Sequence, residues 1–121
     1  MATDLNRLDI IGRQTRDCEQ TNVGESTITK FSIANNYKYK DKESVLFLDC
    51  EVWGKLGDVI RNYGGKGKQI CVSGRLSQNN WEDQNGNKKS KMVLRVDFLQ
   101  LLGGGKSDSN ETVSGDVEDV F

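Results

Sequence analysis

A chain of 121 residues is sized for one domain, and with 35% apolar residues it can bury a core only if those residues are well patterned. No run of about eighteen apolar residues is present, so no membrane-spanning helix is expected, and residues 1–12 lack the layout of a signal or transit peptide, so the reading is cytoplasmic. The formal charge of −1 is split: residues 1–105 hold 16 Lys/Arg against 13 Asp/Glu, net +3, whereas residues 106–121 hold Lys106 against Asp108, Glu111, Asp116, Glu118 and Asp119, net −4.

In chain order, Leu5 to Gly12 is rich in Leu and Ile and reads as a first strand. Ile28 to Ala34, with Ile28, Phe31 and Ile33 among polar residues, is a second, and Val45 to Trp53 a third. Between the second and third lies a polar connection, Asn35 to Ser44. Lys55 to Tyr63 alone has helical periodicity, with Leu56, Val59, Ile60 and Tyr63 on one stripe, and Gly64-Gly65 marks its stop. Ile70 to Leu76 is a fourth strand, with Ile70, Val72 and Leu76 on one side. Met92 to Leu101 is a fifth, with Met92, Leu94, Val96 and Phe98 on one side. The polar stretch Ser77 to Lys91 between them carries Asn85-Gly86, a hairpin signal, and is expected to project as an extended arm. Five strands with one helix between the third and fourth is the element order of an all-β oligonucleotide-binding (OB) barrel. Gly103 to Gly105 closes the domain, assigned to residues 1–105. Residues 106–121 read as a flexible acidic tail ending in Val120-Phe121, either a solubilising end or a peptide that docks its Phe on a partner.

The third strand is the most informative. Alternation puts Leu46, Leu48, Cys50 and Val52 on a core face and Phe47, Asp49, Glu51 and Trp53 on the other. Two carboxylates are costly to bury unpaired, so the second face meets water, with Asp49 and Glu51 as ion-pair partners of nearby cations. Phe47 and Trp53 on that face either stack the bases of a single-stranded nucleic acid or pack beneath a loop or a neighbouring subunit. Tyr37 and Tyr39 alternate with Lys38 and Lys40, as on an extended ribbon with both rings on one side. Trp81, followed by Lys88, Lys89 and Lys91, either stacks a base or caps the arm's own foot. Rings interleaved with cations at separate places suit a sequence-tolerant single-strand binder, since cations meet phosphates while rings stack bases.

Catalysis finds little support. His is absent, and Cys18, Cys50 and Cys71 are an odd, widely spaced set that fits neither a disulfide framework nor a zinc site. No phosphate-binding loop motif is present, and Gly64 to Lys68 reads as a basic turn. No cofactor or metal is expected.

Taken together, Asn6 to Arg13, Phe31 to Ala34, Phe47 to Leu56, Tyr63 to Ser73, Gly74-Arg75-Leu76, Trp81 to Gly86 and Gln100 to Gly103 resemble the bacterial single-stranded-DNA-binding protein (SSB) family in order and spacing. The resemblance implies an OB-fold homotetramer that wraps single-stranded DNA without sequence preference in replication, recombination and repair. It matches Tyr39, Phe47, Trp53 and Trp81 to stacking aromatics and Lys55 to a basic residue of the DNA path, with Arg13 and Lys66 flanking. Tyr37 and Lys38 join this set from the loop pattern. The family's tail ends in acids and an apolar tip that recruits replication and repair proteins. Here Asp116, Glu118, Asp119, Val120 and Phe121 stand in that place, without the family's Pro. Cys18 replaces a usual Pro. Two other readings stay open, an OB module whose outer aromatics serve protein assembly and an RNA-binding OB module.

Overall fold

A computed structural model describes residues 3–103 and contains six strands and one α-helix. These are β1 (Leu8–Gln14), β2 (Glu19–Val23), β3 (Ser26–Tyr39), β4 (Lys42–Trp53), α1 (Gly57–Tyr63), β5 (Gln69–Glu82) and β6 (Lys88–Leu102), with a short 3-10 turn at Gly54–Leu56 leading into α1. The sheet runs β1-β5-β6-β4-β3-β2 and closes by pairing of β1 with β3, through Arg13↔Ala34 and Gln14↔Ile33. Five strands thus form the expected closed barrel with one short helix between its third and fourth strands. β4 and β6 pair in parallel, from Asp49↔Val93 to Glu51↔Arg95, while every other pairing is antiparallel.

β2 is an additional strand outside the ring, hairpinned onto β3 from Glu19↔Lys30 to Val23↔Ser26. Its sequence, EQTNV, offers no apolar alternation, and all but Gln20 of it is exposed. It is therefore a strand held by its ladder rather than by a buried face.

The core lies inside the ring: Phe31 and Ile33 of β3, Leu48, Cys50 and Val52 of β4, Ile70 and Val72 of β5, Leu94, Val96 and Leu99 of β6, and Ile60 of α1. Gln14 is buried among them without being orphaned. Its Nε2 donates to the Arg16 carbonyl at 2.8 Å and its Oε1 accepts from the Gly65 amide at 2.9 Å.

Several limits and faces differ from the sequence expectation. β1 begins at Leu8, and Leu5 is exposed; before it, Asn6 clasps β5, donating to the Leu76 carbonyl at 2.8 Å and accepting from the Leu76 amide at 2.9 Å. The polar stretch Asn35 to Ser44 is not a loop. β3 and β4 run on through it, from Asn35↔Leu46 to Tyr39↔Lys42, leaving only Lys40 and Asp41 to turn. Its composition is polar because the ribbon projects past the core, so neither face is buried. For the same reason Leu46, assigned to the core by alternation, is exposed. Tyr63 also faces solvent rather than the core, at the last turn of α1.

The β5–β6 arm does extend as a paired ribbon, from Ser77↔Val93 to Glu82↔Lys88. Its tip is organised by Asp83, whose Oδ1 accepts from the amides of Asn85 and Asn87 at 2.9 Å each. In β6 the expected apolar side splits. Leu94 and Val96 face the core, but Met92 and Phe98 are exposed, and Leu99 is buried instead. Met92 keeps the parity of Leu94 but lies in the arm, beyond the core. The exchange of Phe98 for Leu99 has another cause, a β-bulge. Ser73 pairs with Phe98 and Gly74 with Val96, so Asp97 has no partner and the strand's parity reverses there.

Candidate nucleic-acid interface

The residues that point away from the core on β4, β6 and β5 form one continuous outer face. β4 contributes Phe47, Asp49, Glu51 and Trp53, because Leu48, Cys50 and Val52 point inward. The parallel register sets Val93 beside Asp49 and Arg95 beside Glu51, so β6 presents Lys89, Lys91, Val93 and Arg95 on that side. The antiparallel register then adds Arg75, Ser77, Asn79 and Trp81 from β5. Phe47 (67% exposed), Trp53 (41%) and Trp81 (46%) therefore share a single solvent-facing surface, with cations between them.

The acids of this face are engaged. Lys91 Nζ lies 3.1 Å from Asp49 Oδ2, and Arg95 Nε lies 3.3 Å from Glu51 Oε2. Asp49 Oδ1 also accepts from the Ser32 hydroxyl at 2.6 Å. That hydroxyl holds the Asp49 carboxyl below its ordinary range; partial burial opposes the shift, and Lys91 reinforces it. Asp49 is consequently a carboxylate at neutral pH. The Arg95 guanidinium stands 5.4 Å from the centre of the Trp53 ring, where the ring's negative face attracts it.

Sites expected from the sequence distribute unevenly around this surface. Arg13 points outward from β1, pairs with Ala34, and Ala34 pairs with Phe47, so one small side chain separates Arg13 from the aromatic face. Its guanidinium donates to the Gly67 carbonyl at 3.0 Å. Lys66, in that same turn, is exposed and its amide donates to Asp17 Oδ1 at 3.3 Å. Lys55 is exposed in the turn just after Trp53. Lys38 lies on the Phe47 side of the β3–β4 ribbon, 4.0 Å from Glu43. Tyr37 and Tyr39 do share one side, but by register it continues the Phe31 and Ile33 side and is opposite to that of Phe47. Both rings are exposed, and Lys40 Nζ sits 5.4 Å from the Tyr39 ring centre. Asp116, Glu118, Asp119, Val120 and Phe121, with the domain limit at 105, lie outside the described residues.

Sequence reasoning left Arg75 and Arg95 out of the site. The signal was available: counting back from the Asn85-Gly86 turn pairs Trp81 with Lys89 and, six steps further, Arg75 with Arg95. The same count places Lys88 opposite Glu82, on the other side from Trp81. Among the described residues no group of three or more potential metal ligands occurs, and no helix is long and apolar enough to cross a membrane.

Comparison with known proteins agrees with this geometry. Residues 5–102 match the model of the single-strand binding protein family. A single-stranded DNA-binding protein of Borreliella burgdorferi is 35% identical, over 97% of this chain and 87% of that protein. One of Treponema pallidum is 41% identical over 83% of this chain and 59% of its own length. Single-stranded DNA-binding protein 1 of Synechocystis is 33% identical over 95% and 98%. Among solved structures, the SSB complex with ssDNA of Plasmodium falciparum superposes with a TM-score of 0.78, covering 84% of this chain and 98% of that one; at 23% identity the likeness is one of fold.

Proposed function

The chain belongs to the single-strand binding protein family, and we propose that it binds single-stranded DNA without sequence preference, protecting it during replication, recombination and repair, with no catalytic step. The observation that carries this reading is the outer face on which Phe47, Trp53 and Trp81 stand exposed among Arg75, Lys89, Lys91 and Arg95. Every base has a flat π-face, so rings stack any sequence, and the cations meet phosphates, which carry no sequence information. Arg13, Lys38, Lys55 and Lys66 extend the basic path, and Tyr37 and Tyr39 meet the strand where it passes the far side of the β3–β4 ribbon.

The assembly we propose is a homotetramer. Two features support self-association. Among the described residues, Leu8 to Gly12 of β1 pair with β5 on one edge only, since the β3 pairing begins at Arg13, leaving an edge for a second copy. Phe98 also stands exposed on the outer face that β1, β5 and β6 share, beside the half-buried Ile11 and Cys71. The tail from Asp116 to Phe121 is assigned to recruiting replication and repair proteins, its acids meeting basic residues and Phe121 an apolar pocket. The place of action is the cytoplasm, with the nucleoid.

The test is a titration of labelled oligo(dT), mixed-sequence single strand and duplex against the wild type and Phe47→Ala, Trp53→Ala and Trp81→Ala. Each ring contributes about 1–3 kcal/mol of stacking, so each variant is expected to bind roughly five- to 150-fold more weakly. Equal affinity for duplex and single strand, or unchanged affinity in all three variants, refutes the reading.

A further inference from the structure

The face that would meet phosphates carries its own acids, and they hold its cations. A strand stacked on both Trp53 and Trp81 must pass over β6, which lies between β4 and β5. Neighbouring strands are about 4.8 Å apart, so the two tryptophan-bearing strands are separated by about 10 Å with the outward side chains of β6 between them. Those side chains are Lys91 and Arg95, the cations of the Asp49 and Glu51 ion pairs, with the buried Val93 between them.

On the DNA-binding reading above, we infer that Lys91 and Arg95 are phosphate contacts and that Asp49 and Glu51 are built-in competitors, carboxylates that a phosphodiester must displace before it engages β6. Both acids are placed for this by the barrel itself. They alternate with Phe47 and Trp53 on β4, and the parallel register brings β6 against them.

Exchange is within reach of a phosphate. The Lys91 side chain is 52% exposed and its Asp49 partner 40%, so the pair is solvated and weak. Arg95 is less open, at 37%, with Glu51 at 16%, so this second pair yields less readily. Arg95 has a further role before exchange: leaning on Trp53, it covers part of a stacking ring.

The consequence shows in salt dependence. Each phosphate neutralised by a cation on a single strand steepens the fall of log K with log salt by about 0.7. A lysine beside a retained carboxylate brings no net charge to the strand, so Lys91 and Arg95 contribute less than that in the wild type. Removing the carboxylate charge frees the full contribution. The acids therefore lower the affinity and flatten its salt dependence.

Asp49→Asn and Glu51→Gln remove the charge and keep the shape. Asparagine retains an oxygen for the Ser32 hydroxyl. Anisotropy of fluorescein-labelled oligo(dT), read across a NaCl series, should show each variant binding about two- to fivefold more tightly at low salt, with a slope steeper by up to about 0.7. Lys91→Ala should weaken binding, and in its background Asp49→Asn should gain almost nothing, because the lysine it would free is gone. Weaker or unchanged binding by both Asp49→Asn and Glu51→Gln overturns the inference, since the acids would then orient the cations or play no part. A gain that persists undiminished beside Lys91→Ala also overturns it, as it would reflect general repulsion between Asp49 and phosphate. If Asp49→Asn fails to fold, Glu51→Gln and its cycle with Arg95→Ala decide on the second pair. Wild-type protein that does not bind oligo(dT) refutes the DNA-binding reading itself, an outcome distinct from wild-type binding with unresponsive variants.

Discussion

Gly74→Ala tests how the barrel holds the outer face. Gly74 is buried in β5 beside the β6 bulge, and a Cβ added there would stand 2.0 Å from the Arg95 carbonyl oxygen, 2.8 Å from the Arg95 carbonyl carbon and 3.0 Å from Val96 Cα. All three are backbone atoms, so no side chain can swing aside. Cβ atoms essentially never come within 3.0 Å of an atom outside their own and adjacent residues, so the two strands must separate by at least about 1 Å at this point, from 2.0 to 3.0 Å. Overpacking costs about 1–3 kcal/mol where side chains can adjust, and occasionally more. With backbone against backbone the upper end is the expectation, about 3 kcal/mol. For a domain near 100 residues that lowers the melting temperature by roughly 12–24 °C. Urea unfolding followed by far-UV circular dichroism, with variant and wild type at the same protomer concentration because assembly shifts apparent stability, gives the number directly. The displaced atoms belong to Arg95, so the tryptophan emission of the folded variant should also change as the guanidinium moves from Trp53. A midpoint within error of the wild type would refute the close-approach argument, and with it the bulge that fixes the parity of β6.

The thiols and one carboxylate supply further tests. Burial, with the Asp49 charge beside it, pushes the Cys50 thiol up to about 12, so a disulfide reagent at pH 8 should leave it intact in the native protein and reach it only in denaturant. Cys18 and Cys71 are half-buried, their thiols raised mainly by burial, and should react slowly; three thiols reacting rapidly in native protein would contradict this packing. The Asp49 carboxyl lies below the ordinary value of 3.8, first through the Ser32 hydroxyl. Its stabilising contribution is therefore complete above that value and lost as pH falls through the lower folded value. Ser32→Ala should raise the Asp49 titration and shift this acid loss of stability to higher pH, as read by carboxyl NMR and melting curves between about pH 2 and 6. An unmoved titration would remove Ser32 as the cause.

Much of the barrel was legible because its signals are local. On β4 one side is apolar and the other carries acids with two aromatics, and that contrast alone separated Leu48, Cys50 and Val52 from Phe47 and Trp53. Where strands leave the core the contrast disappears. Leu46 has the inward parity yet no core to enter, and around Tyr37 and Tyr39, where both sides are wet, only the alternation of rings with lysines points to the ribbon, whose ladder continues to Lys42. β2 has no apolar face at all and exists through pairing with β3. The candidate site divides the same way. Its rings were found one by one, as large apolar groups in polar company. Their relation, three on one outer face and two tyrosines on the opposite side of a ribbon, depends on register between strands distant in sequence.

The bulge at Asp97 ties the core to the candidate site. Leu94 and Val96 are buried, and so is Leu99, with Leu101 packed against the same core. No unbroken strand can point both pairs inward, because 94 and 96 have one parity and 99 and 101 the other. Without the extra residue, burying Leu99 and Leu101 would turn Leu94 and Val96 to solvent and drive Arg95 into the core, where its charge would be far costlier than at the surface. One unpaired residue opposite a glycine resolves both demands. It keeps four aliphatic side chains on the core and leaves Lys91 and Arg95 outside, against Asp49 and Glu51. The hydrophobic pattern of β6 thus requires the bulge, and the bulge places the cations between Trp53 and Trp81. The packing that closes the barrel is therefore also what composes the face assigned to DNA.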